Sequence, residues 1–279
     1  MRRHRTGQGL RFIAFACLAL IASACANLKA VREFASTSSD AAQYSQLVVA
    51  YVDTPARMKR YEPESQRPVL DREIAERKAQ QERLLLRQKL IQEYMDALKQ
   101  LADDELTSYD KELDALGNAA KTAKFVDQGE ATAFAAVSKV LVLAVTDRWR
   151  QGKLVTLIEE TDRPFQVVVA ALVKIVEQEF TADIAIEREA LNKYYTGLER
   201  QGKDPAGLAA LAEWRELREG QIKGHDTAIR NYAVVLKTIA VGHHKLYESR
   251  HRLSTPEVQT EIHQYTKRLK EAFNALAAL

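Results

Sequence analysis

Cysteine, glycine and proline are all scarce in this chain of 279 residues. It contains two cysteines, Cys17 and Cys25, together with 11 glycines and 6 prolines. Glycine and proline are the residues that most often interrupt helices and form turns. Alanine, leucine, glutamate, lysine and arginine, which favour helices, are abundant instead. The composition therefore predicts an all-α protein.

The sequence also lacks the short motifs that support common enzyme reactions. It contains no glycine-rich phosphate loop, no nucleophile elbow and no paired cysteine and histidine. Acidic runs such as Asp103–Glu105 and Glu159–Glu160 could serve acid–base chemistry, but such runs on long helices usually form a solvated face. We therefore predict that the protein is not an enzyme and uses no cofactor.

Excess positive charge is confined to the start of the chain. The first 24 residues contain four arginines and no acidic residue, and the whole chain has 41 basic and 38 acidic residues. Without that segment, 37 basic residues stand against the 38 acidic ones, a net charge of −1. Nucleic-acid binding needs a basic surface, so this near-neutral remainder argues against a nucleic-acid partner.

The first 25 residues have the three parts of a secretory signal peptide. Arginines are followed by the unbroken apolar run Phe12–Ile21, and small residues follow that run. The apolar segment is well short of the ~20 residues that a membrane-spanning helix needs. We predict that residues 1–24 are removed and that the mature chain is exported. Cys17 would be lost with them, so the mature chain could form no internal disulfide.

The residues Ala22-Ser23-Ala24-Cys25 resemble the lipobox of bacterial lipoproteins, with Ala22 where that family prefers leucine. The resemblance covers only the first 25 or so residues. It implies that Cys25 becomes the first mature residue and carries the acyl chains of a membrane anchor. Because Ala26 rather than aspartate follows, it also implies the outer membrane, facing the periplasm. Ordinary cleavage after Ala24, leaving a free thiol, and cleavage after Ala26, removing Cys25, are the alternatives.

Apolar residues recur at spacings of three and four through most of the remaining chain, as on amphipathic helices. The pattern predicts an N-terminal helix and a proline-containing linker over residues 25–69, then an elongated bundle of about five to seven long helices over 70–279. A restart is predicted at Thr161–Pro164 and a boundary at Gly202–Pro205. The predicted helices include 27–53, 70–124, 129–151, 164–200 and 205–253, the last with Trp214 and Leu217 on its apolar seam.

The irregular stretch 53–68 carries a basic cluster of Arg57, Lys59 and Arg60. This cluster could bind an anionic surface such as lipid headgroups or peptidoglycan. A solvated connector whose charges keep it soluble is the commoner explanation of such a pattern.

Histidines near the C-terminus are the weak candidates for a metal site. His244, Glu248 and His251 share one helix face, at spacings of four and three. Metal sites in bundles need ligands that converge from two or more helices, and only His225 and His263 remain to complete this one. Since His225 and His243 are predicted at the core edge and His244 and His251 outside it, we predict no metal site.

These patterns favour a structural or interaction role, as a scaffold or accessory subunit of a cell-envelope complex with a protein partner. A lipid- or small-ligand-binding bundle is the alternative, and it would need a cavity between Phe134–Val145 and Phe165–Val176. An enzyme or metal sensor would depend on the histidines alone. Gly220 and Gly224 forfeit roughly 2 kcal/mol of helix propensity. We therefore predict that another helix, from the bundle or from a partner, packs against them.

Overall fold

The computed structural model describes residues 28–103, 127–146 and 152–277. Across these ranges the secondary structure is helical, with no strand, and the predicted all-α bundle is confirmed. The predicted signal peptide, Cys25 and the part of the predicted long helix beyond Asp103 lie outside the described residues.

Six long helices form most of the described fold, within the predicted range of five to seven. In chain order the helices are α1 (Lys29–Ala42), α2 (Ser45–Val52), α3 (Thr54–Met58), α4 (Arg67–Asp103), α5 (Gln128–Thr146), α6 (Gly152–Lys174), α7 (Thr181–Gln201), α8 (Pro205–Glu248) and α9 (Pro256–Ala277). A 3-10 turn precedes α4 at Glu64–Gln66, and a π-helical turn joins α6 to α7 at Ile175–Phe180. Helix α8 has 44 residues, about 66 Å at 1.5 Å per residue, which accounts for an elongated bundle.

Helix α1 lies inside the bundle, although it belongs to the N-terminal segment that the sequence analysis separated from it. Val31, Phe34 and Ala35 are fully buried, and α1 packs against α4 and α9. These side chains belong to the same hydrophobic cluster as the apolar faces of α4, α6 and α8. Residues 28–52 therefore help to form the main core.

The predicted restart of the chain at Thr161–Pro164 is wrong. Pro164 lies inside α6, which runs without a break from Gly152 to Lys174. Proline removes one backbone hydrogen bond from a helix interior. However, Leu157 before it and Phe165 after it are fully buried. Ending the helix here would expose that apolar face, so burial outweighs the local cost.

The predicted first helix is divided, and the predicted irregular stretch is partly helical. Helix α1 ends at Ala42 and α2 begins at Ser45. Ser38 and Ser39 are buried inside α1. Pro55 lies in the first turn of α3, where its missing N–H costs no helical hydrogen bond.

Helix α8 begins where the sequence predicts, but residues 205–221 contain no fully buried side chain, and Leu211 packs against the core only half-buried. The side chain of Asp204 caps the helix by accepting a hydrogen bond from the Gly207 backbone N–H at 2.8 Å. Trp214 and Leu217 are 59% and 58% exposed, whereas the buried residues of α8 begin at Ile222. The predicted apolar seam is thus buried only in the second half of α8. We call residues 205–221 the α8 arm.

Candidate functional site

An open cleft separates α2 from the middle of α8, and we call it the α2–α8 cleft. One side, the apolar side, has a volume of about 730 Å³ and is lined by apolar or small residues including Leu47, Leu217, Gly220, Gly224 and Ala228. The other side, the cationic side, has a volume of about 580 Å³ and is lined by residues including Arg57, Arg60, Tyr61, Arg218 and Ile222. Both sides share Gln46, Ala50, Gln221 and His225. Each volume lies in the range of about 300–1,000 Å³ that is typical of ligand sites.

The two glycines on the apolar side face open space. No described atom lies within 4 Å of the position that a Cβ of Gly220 or Gly224 would occupy. The prediction that a helix of the same bundle packs against these glycines is therefore wrong for the described residues. The alternative, that a helix of a partner packs there, stays a prediction. Gly242, later in the same helix, is the opposite case, because a Cβ there would overlap the ring of Phe34.

Arg57 on the cationic side is fixed by a buried carboxylate. Its Nε and Nη2 donate to Oε1 and Oε2 of Glu187, both at 2.7 Å, and its Nη1 donates to the carbonyl of Ala50 at 2.7 Å. The Glu187 side chain is only 3% exposed. Both oxygens of Glu187 are thus occupied in a bidentate pair, which cancels one positive and one negative charge.

Arg60 and Arg218 remain uncompensated at the cleft. In the part of the chain that the structure describes, neither forms an ion pair, and Arg218 Nη1 donates to the neutral amide oxygen of Gln221 at 2.8 Å. Tyr61 lies beside them: burial raises the pKa of its hydroxyl, and the positive charge of Arg218 lowers it in part. The cationic side therefore carries a net positive charge.

His225 stands between the two sides of the cleft. Its Nδ1 is buried and has no hydrogen-bond partner among the described residues. Burial, and then the nearby charge of Arg57, lowers the pKa of this imidazole, so it is neutral at pH 7. A buried polar atom without a partner is costly.

The predicted metal candidates do not converge. His244 Nδ1 lies 2.9 Å from Asp162 Oδ2, and its Nε2 lies 3.8 Å from Glu248 Oε1. His251 is exposed on the segment after α8. Among the described residues, no three histidine, cysteine, aspartate or glutamate side chains are placed to hold a metal ion.

His243, which the sequence placed at the core edge, is instead the centre of a buried polar cluster. Its Nδ1 lies 3.1 Å from Asp162 Oδ1, and its Nε2 lies 2.6 Å from the Tyr94 hydroxyl. A carboxylate only accepts hydrogen bonds, so Nδ1 carries the proton and Nε2 accepts from Tyr94. The Tyr94 oxygen is also 2.6 Å from Thr161 Oγ1. The cluster joins α4, α6 and α8.

Burial and hydrogen bonding act in opposite directions on this cluster. Burial lowers the pKa of His243, against the opposing effect of Asp162. Burial alone would raise the pKa of Asp162, but hydrogen bonds from His243 and His244 outweigh it and leave that pKa lowered. The resting state is therefore a neutral His243 beside a charged Asp162. None of these side chains lines the α2–α8 cleft, so the cluster acts as a connection between helices.

The ligand-binding alternative required a cavity between Phe134–Val145 and Phe165–Val176, and the α2–α8 cleft lies elsewhere. Phe134, Val137, Phe165 and Val168, from the two apolar segments named for it, are fully buried in the core. No described side chain of either segment lines the α2–α8 cleft. The sequence named Arg57, Arg60, His225, Gly220 and Gly224 for separate reasons, but no pattern along the chain placed them around one cleft.

The fold and the site define a class of protein, an all-α bundle with an open cleft that is apolar on one side and cationic on the other. Comparisons with protein-family models, with curated proteins and with solved structures found no match to this chain. None of the described helices is both long enough and apolar enough to cross a membrane.

Proposed function

We propose that this protein is a lipoprotein of the bacterial cell envelope that acts as a scaffold or accessory subunit. The lipobox-like residues Ala22–Cys25 support an acyl anchor on Cys25, at the outer membrane and facing the periplasm. The α8 arm supports the interaction role, and it is the observation on which the proposal depends. The partner is a protein that covers the apolar side chains of this arm.

The α8 arm has the properties of a protein-binding surface. Trp214 and Leu217, one helical turn apart, are both more than half exposed. Tryptophan is among the residues that contribute most to binding at protein interfaces. Arg215 holds the arm against α7 through ion pairs to Glu199, so the apolar residues are presented on a supported helix. Preorganisation of this kind lowers the entropic cost of binding.

Site-specific photo-crosslinking in cells tests the interaction. A crosslinking residue at position 214 should join the protein to one defined envelope protein. The same residue at Val241, which is 54% exposed on the same helix, serves as the matched control and should not. Trp214→Glu should abolish a crosslink made from position 217. Equal labelling from positions 214 and 241 would contradict the proposed surface.

Cell fractionation tests the anchor. Cys25→Ser removes the site of acylation, so the variant should leave the membrane fraction and appear in the periplasm. The unmodified protein should need detergent for release. If the Cys25→Ser variant stays with membranes under the same detergent conditions, the lipid anchor is wrong.

Ligand binding is the second candidate function, and the α2–α8 cleft is the observation that favours it. The cleft is open among the described residues, and its two sides match the two ends of an amphiphilic molecule.

A further inference from the structure

We propose that the cationic side of the α2–α8 cleft binds the anionic headgroup of a single-chain amphiphile whose acyl chain lies along the apolar side. The headgroup is a carboxylate or a phosphate. This inference rests on ligand binding, the second candidate function, and adds the chemical class and the orientation of the ligand.

The headgroup position follows from the arrangement of the arginines. The basic cluster seen in the sequence divides into three environments: Arg57 pairs with the buried Glu187, Lys59 pairs with Asp71, and Arg60 lines the cleft. Arg218 approaches the same cavity from α8. Arg60 and Arg218 thus supply two guanidinium groups with no carboxylate partner among the described residues. Guanidinium groups bind carboxylate and phosphate oxygens in a bidentate geometry.

His225 and Gln221 provide neutral hydrogen-bonding groups beside these charges. The His225 Nδ1 is buried without a partner in the described part of the chain, and its side chain lines both sides of the cleft. That nitrogen has almost no solvent-accessible surface, so a headgroup oxygen reaches it only if the imidazole turns toward the cleft.

The apolar side of the cleft has room for the acyl chain. Leu47 and Ala228 form buried walls, and the bare backbone at Gly220 and Gly224 leaves room along α8. Glu213 and Glu216 also line this side and are exposed. Their negative charge disfavours an anion there, which orients the headgroup toward Arg60 and Arg218.

Calorimetric titration with chemically simple probes tests this assignment. The full chain is purified with Cys25→Ser, which removes the acylation site and the need for a detergent that would compete for the cleft. The probes are dodecanoate, dodecyl phosphate, dodecanol and inorganic phosphate, each below the concentration at which it aggregates. One molecule of dodecanoate or dodecyl phosphate should bind per chain. Dodecanol and inorganic phosphate should each bind at least about tenfold more weakly, because dodecanol lacks the anionic headgroup and inorganic phosphate lacks the acyl chain. The tighter of the two anions identifies the headgroup.

Charge-removing variants locate the headgroup. Arg60→Gln and Arg218→Gln should each weaken binding of the better anion about tenfold and leave dodecanol binding unchanged. Arg230→Gln is the matched control, because Arg230 is an exposed arginine of the same helix that does not line the cleft; it should bind like the parent. Gly224→Leu should weaken dodecanoate binding through the acyl chain, with helix content checked by circular dichroism.

Two results would overturn the inference in distinguishable ways. Equal binding of dodecanoate and dodecanol, unchanged in the Arg60→Gln/Arg218→Gln double variant, would show a ligand cleft without a headgroup site. Absence of binding by all the probes would overturn both the headgroup site and ligand binding as a function. Neither result bears on the Cys25 anchor.

Discussion

Three glycines inside α8 have different surroundings, so the same substitution should change stability in opposite directions. Alanine at Gly220 and Gly224 would meet no atom within 4 Å. Each substitution should then gain about 0.5–1 kcal/mol by reducing the freedom of the unfolded chain, or about 1–2 kcal/mol for the pair. Alanine at Gly242 would overlap Cε2 and Cζ of Phe34, a fully buried ring that has little room to move. Overpacking of this kind costs about 3 kcal/mol at the upper end of its usual range. Subtracting about 1 kcal/mol of helix propensity leaves a net loss of about 2 kcal/mol.

Thermal and urea unfolding followed by far-ultraviolet circular dichroism measure these differences. At this chain size 1 kcal/mol corresponds to about 2–4 °C in Tm. The Gly220→Ala/Gly224→Ala variant should therefore melt about 2–8 °C higher than the parent, and Gly242→Ala about 4–8 °C lower. Phe34→Leu removes the two overlapping ring atoms, so it should cost less in the Gly242→Ala background than in the parent. A Gly242→Ala variant that melts at or above the parent temperature would refute the packing argument. A double variant that melts lower would show that a neighbour occupies the space beside Gly220 and Gly224.

Two further predictions concern the buried cluster around His243. Because burial lowers the pKa of His243, the unfolded state binds this proton more readily, and stability should fall as the pH drops below about 6.5. The lowered pKa of Asp162 should add a second loss below about pH 4. The urea midpoint of the parent should be lower at pH 5.5 than at pH 7.5, and this difference should be smaller for His243→Gln. His263→Gln, which changes an exposed histidine, is the control and should show the same difference as the parent. Equal differences in all three proteins would contradict this assignment. Tyr94→Phe removes the donor to His243 Nε2 and should cost about 1–3 kcal/mol, measured by urea unfolding at pH 7.5. Tyr44→Phe is the control, because the Tyr44 hydroxyl lies 3.5 Å from the Leu276 carbonyl, and it should lower the free energy of unfolding by less. A Tyr94→Phe variant as stable as the parent would show that the Tyr94–His243 hydrogen bond contributes nothing to stability.

The sequence predicts the helices of this protein well because their signals are local. Apolar spacings of three and four identified the long helices, and the Asp204–Pro205 pair placed the start of α8, where the structure shows an Asp204 cap. The prediction failed at Pro164, where a local signal for a helix break is overridden by apolar residues buried on both sides. Residues that interact along one turn can be recognised from the chain, whereas the burial that overrides them cannot.

The candidate site was decided by the tertiary structure. Arg57 and Glu187, beside the cleft, are 130 residues apart in the sequence. Tyr94 and His243, in the buried cluster outside the cleft, are 149 apart. Periodicity states which face of a helix is apolar but not which helix covers it. For the same reason the apolar seam predicted for α8 includes Trp214, yet only packing determined that Tyr232 is buried while Trp214 is exposed. The sequence by itself determined the helices and suggested an exported, acylated chain; how the helices pack determined where the cleft opens and which charges face it.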